Sequence, residues 1–194
     1  MAKLYFRYSA MNAGKSTYLL QVAHNYEEQG QAVRLFTASL YSDNGRGVIS
    51  SRLGLRREVE MFDGGFDFLA AVRAQTSAIA CLLVDEAQFL TPDQVRQLHR
   101  VAAELGTPVI CFGLRSDFRG EPFAGSAWLL ALADDLEQIK TICACGKKAT
   151  MNLRVDAEGR AKTSGDQVGI VKSQYRQVCA SCFYRDTARQ PPGQ

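Results

Sequence analysis

Lys15 is the residue from which chemistry is most readily read. It stands between Gly14 and Ser16-Thr17, after the small-residue run Ser9-Ala10-Met11-Asn12-Ala13. Such a run lets backbone N–H groups close around phosphate oxygens, and a helix beginning at the lysine adds its partial positive charge. The lysine can reach the outer phosphates of ATP, and the serine hydroxyl can ligate Mg²⁺. Ser9, Ala10, Met11, Asn12, Ala13, Gly14, Lys15 and Ser16 are therefore the expected nucleotide cradle. The usual pattern has glycine where this chain has Ser9, and a serine can make the turn there with a negative φ. A second group is Asp85-Glu86, which ends the apolar run Ile79-Ala80-Cys81-Leu82-Leu83-Val84. Two carboxylates at the end of a buried strand are poor packing choices unless they are used. In phosphate-loop proteins a Mg²⁺-linked aspartate sits at this place. The third group is Cys143, Cys145, Cys179 and Cys182, spaced C-x-C and C-x-x-C. Four thiolates in two close pairs suit a tetrahedral Zn²⁺ whose positions are all filled by protein, hence a structural metal. A redox pair at Cys179 and Cys182 is the other reading, and it leaves Cys143 and Cys145 without a task.

Elements must carry these groups to one place. Residues 3–8 alternate as a strand does, and Tyr18 to Glu28 have a helical pattern ended by Gly30. A strand is expected at 32–37, a helix at 66–77 and a buried strand at 79–84. Thr91 and Pro92 read as the N-cap and first position of a helix running to Gly106. Further strands are expected at 108–113 and 136–142, and a helix at 126–135. Residues 41–60, rich in Ser, Gly and Arg, read as a long loop. Its arginines are a solvated basic surface or, alternatively, a phosphate-contacting lid that would use Arg46. Alternating strands and helices imply an α/β phosphate-loop NTPase-type fold, a parallel sheet with helices on both faces. Ligands bind beyond the C-terminal strand ends of such sheets, so the Gly14 loop, Asp85-Glu86 and the loop 114–123 should share one crevice.

The bulk properties narrow the class of protein. The chain has 194 residues, enough for one good core and a small appendage, with 46% apolar and 22% charged residues. A net charge of +3 is too small to argue for nucleic acid, and no apolar run approaches membrane-spanning length. No signal-peptide pattern opens the sequence, and a cytoplasmic location is expected, where a disulfide framework is not. Cys81 and Cys111 fall in apolar runs and are expected in the core. His24 and His99 have no cysteine or carboxylate pattern around them and read as surface or boundary residues. The expected organisation is a nucleotide-binding domain over 1–140, a zinc-ribbon-like domain over 141–190 with a long loop at 163–175, and a disordered tail at 191–194.

Four segments carry a resemblance that spans nearly the whole chain. They are Tyr-Ser-Ala-Met-Asn-Ala-Gly-Lys-Ser-Thr (8–17), Val-Asp-Glu-Ala-Gln-Phe-Leu (84–90), Gly-Leu-Arg-Ser-Asp-Phe-Arg-Gly (113–120) and Lys-Thr-Ile-Cys-Ala-Cys-Gly (140–146). Together they resemble the thymidine kinases found in bacteria and in animal cytosol. The resemblance implies that Glu86 is the catalytic base beside the nucleoside 5′-hydroxyl and Asp85 the Mg²⁺-linked carboxylate, with Gln88 among the nucleotide contacts. It implies that Met11, Phe89, Leu114, Phe118 and Phe123 line the base and sugar pocket. Val168, Gly169 and Ile170 would fold over thymine, with Tyr175 closing that loop. The family often shows Val-Ile-Gly-Gly there, while this chain has Val-Gly-Ile-Val-Lys. Thymidine and ATP as substrates, inhibition by the thymidine triphosphate end product, and a homotetramer are further implications. A rival from another class is a nucleic-acid-dependent ATPase with a zinc ribbon. Helicases of that kind need two ATPase lobes, and aromatic–basic interleaving is absent here.

Overall fold

The structure, a computed structural model, describes residues 1–41, 45–167 and 174–188. Strand β1 (Leu4–Ser9) leads through the glycine loop into helix α1 (Lys15–Glu28). Then follow β2 (Val33–Ala38), β3 (Gly47–Ser50), β4 (Arg56–Phe62), α2 (Phe68–Arg73) and β5 (Cys81–Val84). Next are α3 (Pro92–Leu105), β6 (Val109–Leu114), α4 (Ala124–Leu132) and β7 (Asp135–Gln138). The seven strands form one sheet in the order β3-β4-β2-β5-β6-β1-β7, parallel except for the antiparallel β3–β4 pair. A separate antiparallel pair, β8 (Met151–Val155) and β9 (Gln174–Val178), is followed by α5 (Ala180–Ala188).

The unbroken apolar run of β5 has a simple cause. Leu82 and Val84 pack on one face of the sheet with Leu4, Phe6, Phe36, Leu98 and Leu129. Cys81 and Leu83 pack on the other with Leu19, Ala23, Leu35 and Phe112. With both faces covered, alternation would bury polar groups, so the strand has none until Asp85. Helix α3 starts as its local chemistry dictates. The Thr91 hydroxyl accepts from the Gln94 N–H at 3.2 Å, and the Gln94 side chain accepts from the Thr91 N–H at 3.0 Å. It stops at Gly106 in the left-handed region, at φ 70°.

Some sequence-based boundaries need correction. Residues 41–60 do not form one long loop, because β3 and most of β4 lie within them. The hairpin sits at the sheet edge, where β4 alternates exposed and half-buried residues. Position 47 takes glycine there because a Cβ would meet the Val59 carbonyl at 2.5 Å. Arg57 pairs with Glu27 at 2.6 Å, and Arg46 with Glu58 at 3.2 Å across exposed surface. Helix α2 is shorter than the expected 66–77: Asp67 caps its start by accepting from the Ala70 N–H, and it ends at Arg73 with Ala74 as its C-cap. Helix α4 begins at Ala124 and ends at Leu132, and β7 ends at Gln138 where its pairing with β1 stops. Lys147 and Lys148 lie ahead of β8, where Lys148 forms an isolated antiparallel bridge with Ile142. Helix α5, which carries Cys182, has no counterpart in the sequence reading; a short helix beginning between two closely spaced cysteines has little periodicity to read.

Candidate active site

The two chemical groups of the main sheet meet. Gly14, in the left-handed region at φ 82°, turns the chain from the loop into α1 and accepts from the Tyr18 N–H at 2.9 Å. Lys15 is buried, and its Nζ donates to Ser9 Oγ at 3.2 Å and to the Ala10 carbonyl at 3.3 Å. The Ser9 hydroxyl donates to the Ala10 carbonyl at 2.7 Å. The Ser16 hydroxyl donates to Asp85 Oδ2 at 3.0 Å, across from the start of α1 to the end of β5. Serine and aspartate oxygens at that separation are a donor set for a hard divalent cation. Asn12 reaches the left-handed region too, at φ 61°.

The electrostatics of this pair follow from burial. Desolvation lowers the Lys15 pKa, against the charges of Glu86 and Asp85. Asp85 is pushed up to about 7, first by burial and then by the charge of Glu86, against hydrogen bonds from the Glu86 N–H and the Ser16 hydroxyl. A cation bound beside Asp85 would favour its charged form, and a phosphate beside Lys15 would do the same for the ammonium.

Glu86 is half-buried and takes a left-handed backbone at φ 53°, ψ 35°. Its carboxylate accepts from Gln88 Nε2 at 2.5 Å. The Gln88 side chain is buried, and its Oε1 accepts from the Leu114 N–H at 3.0 Å. Loop 114–123 begins at that residue. Phe89 and Phe123 meet edge to face with ring centroids 5.7 Å apart. Leu114 and Met11 are half-buried. Phe118 is instead fully buried, with Arg154 and Arg119 over its ring at 5.3 and 5.7 Å. Tyr175 lies on β9 opposite Arg154. Val168, Gly169 and Ile170, and the tail 191–194, lie outside the described residues.

The cysteines also come together. The Sγ atoms of Cys143, Cys145, Cys179 and Cys182 all lie within 4.8 Å of one another, and Cys145 Sγ is 3.6 Å from Cys179 Sγ. A tetrahedral Zn²⁺ with bonds of about 2.3 Å needs sulfurs about 3.8 Å apart, so the four residues fit that ion. Backbone N–H groups of Cys145 and Cys179 hold the Cys143 thiol down at about 6. Cys182 is pushed up to about 12, first by hydrogen bonding with the Cys179 and Cys145 sulfurs and then by desolvation. The cluster packs with Leu153, Val155, Val178 and Phe183 as a small core of its own.

One residue that sequence reasoning does not single out joins the two parts. Asn152, on β8 and 3% exposed, accepts from the Met11 N–H at 2.7 Å and donates to the Ser116 carbonyl at 3.1 Å. Asn12 adds a bond to Gln177 at 3.1 Å. Asp117, also buried, accepts from the N–H groups of Arg119 and Glu121 and from Gln167 Nε2 at 3.3 Å. A lone asparagine is disfavoured in a strand pattern, and that is the one local hint the sequence offers for Asn152.

A parallel sheet whose first strand runs through Gly14-Lys15-Ser16 into a helix, with the serine bonded to a carboxylate from another strand of the sheet, defines a phosphate-loop nucleotide-binding protein. The fold agrees with that of a solved ATPase domain, which aligns at a TM-score of 0.50 and 14% identity over 72% of this chain and 69% of that chain. Sequence relatives are more specific. The family model for thymidine kinase matches residues 2–183. The thymidine kinase of Chromobacterium violaceum is 58% identical over 96% of this chain and 100% of its own. Those of Albidiferax ferrireducens and Mesorhizobium japonicum are 52% and 48% identical, over 100% and 99% of this chain and 98% and 96% of their own. The chain belongs to the thymidine kinase family.

Proposed function

We propose that the protein transfers the γ-phosphate of ATP to the 5′-hydroxyl of thymidine, giving thymidine monophosphate. Family membership over nearly the whole length supports the substrate pair. The observation that carries the chemistry is the Ser16–Asp85 bond at 3.0 Å, which places the phosphate loop and the acidic turn on one side of the sheet. In this reading Ser9 to Ser16 cradle the phosphates, and Lys15 turns from Ser9 and Ala10 to the outer phosphate. Mg²⁺, held through Ser16 and Asp85, neutralises phosphate charge when bound. Glu86 orients the thymidine 5′-hydroxyl in line and accepts its proton. Phosphoryl transfer passes through a loose transition state, so positioning and charge stabilisation supply most of the catalysis. Met11, Phe89, Leu114 and Phe123 form the nucleoside pocket, with Phe118 supporting loop 114–123 from beneath. Val168, Gly169, Ile170 and Tyr175 are the further residues we assign to recognition of the thymine base.

The four cysteines hold a structural Zn²⁺ in a C-terminal unit that begins near residue 141. Cytoplasmic location, a homotetramer and inhibition by thymidine triphosphate complete the reading. The test is a phosphate-transfer screen across the common nucleosides with ATP and Mg²⁺, each product identified by mass. Thymidine should be the preferred acceptor. Preference for a different nucleoside, or ATP turnover stimulated by single-stranded DNA and not by thymidine, contradicts the proposal.

A further inference from the structure

The family resemblance groups Gln88 with the nucleotide contacts, but its side chain has another use. It is 2% exposed, and both ends of its amide are taken. The Leu114 N–H at 3.0 Å needs an acceptor, which fixes Oε1 on that side. The amide nitrogen is left facing the Glu86 carboxylate at 2.5 Å. The backbone around it is built for close approach. A Cβ on Gly113 would meet Gln88 Oε1 at 2.9 Å, and one on Gly125 would meet the carbonyls of Ala87 and Leu90 at 2.7 Å. Leu114 is held at its other end as well, where its carbonyl accepts from the Ser126 hydroxyl at 2.5 Å.

We infer that Gln88 is a positioning residue for the Glu86 carboxylate, locking it relative to Leu114 at the start of the nucleoside loop. The inference rests on Glu86 acting on the acceptor hydroxyl. A glutamate on a turn has three side-chain rotors, and an oxygen displaced by about 1 Å can cost about 100-fold in rate. Gln88 removes that freedom by one strong bond to a charged acceptor. It also makes the base and the pocket wall move as one body, because the same amide holds both.

The experiment compares wild type, Gln88→Glu, Glu86→Gln and the double variant, with kcat and KM for ATP and thymidine taken from product formation. Gln88→Glu keeps the acceptor for Leu114 but turns an oxygen toward Glu86. It should lower kcat about 10- to 100-fold, with both KM values within about two-fold of wild type. In the Glu86→Gln background the amide and the carboxylate have exchanged places, the bond between them is restored, and Gln88→Glu should cost less than about two-fold more. Equal losses in both backgrounds would overturn the inference, as would an unchanged kcat or a rise confined to the KM for ATP. Should Gln88→Glu not fold, Gln88→Met, which has similar length and no donor, must show the same fall in kcat at unchanged KM. A wild-type protein that phosphorylates no nucleoside would instead overturn the proposed function, independently of Gln88.

Discussion

Asp85 shows most plainly how a residue's task and its cost are linked. Its carboxyl stands at about 7 because it is buried beside Glu86. The folded protein therefore keeps a proton that the unfolded chain gives up near pH 4, and stability falls as pH rises from about 4 through about 7. Asp85→Asn removes this conflict. Without nucleotide or Mg²⁺, the variant should melt several degrees above wild type at pH 8, the difference shrinking toward pH 5, while phosphate transfer is lost. Thermal unfolding at the two pH values checks this, and equal melting at pH 8 would contradict it. Lys15, Ser16, Asp85 and Glu86 are legible in the sequence because a buried strand or a helix start gives no packing reason for them. Asn152 is not, because its two partners, Met11 and Ser116, are brought to it by tertiary folding alone.

At the scale of elements, legibility follows how local the determinants are. The limits of α3 can be read because Thr91, Pro92, Gln94 and Gly106 each act within a few residues. The β3–β4 hairpin cannot, since its strands carry charged side chains whose partners, such as Glu27, lie on distant elements. The turn that bears Glu86 depends on packing between elements too. Helix α4 approaches it so closely that Gly125→Ala would put a methyl group 2.7 Å from two carbonyls. We expect Gly125→Ala to destabilise the protein by about 1–3 kcal/mol, the usual range for overpacking, and to slow turnover by moving Glu86. Chemical denaturation together with kcat checks both effects, and a variant as stable and active as wild type would contradict the close packing of α4 on this turn.

The whole molecule joins a nucleotide-binding sheet to a small cysteine-centred unit through polar bonds such as those of Asn152 and Asn12. The cysteine spacing is readable in the sequence, but not the bonds by which β8 and β9 support the phosphate loop. Asn152→Leu strips partners from the buried Ser116 carbonyl and the half-buried Met11 N–H and should cost about 2–4 kcal/mol of stability, at about 1–2 kcal/mol each. Calorimetric unfolding measures that loss. Metal analysis should find about one Zn²⁺ per chain. Removing it should release α5 and β8 to hydrogen exchange and raise the KM for ATP through loss of the Met11 contact. A metal-free protein with unchanged exchange and KM would contradict that coupling.

At every scale the proposed chemistry requires the acidic turn after β5 to act on a phosphate held before α1. The most direct measurement is single-turnover transfer from ATP to thymidine by wild type and Glu86→Gln, with binding of both substrates measured alongside. Glu86→Gln should bind both substrates with affinities near those of wild type and transfer phosphate about 10²- to 10⁴-fold more slowly. Transfer at the wild-type rate by that variant would contradict the assignment of Glu86 and, with it, the proposed chemistry.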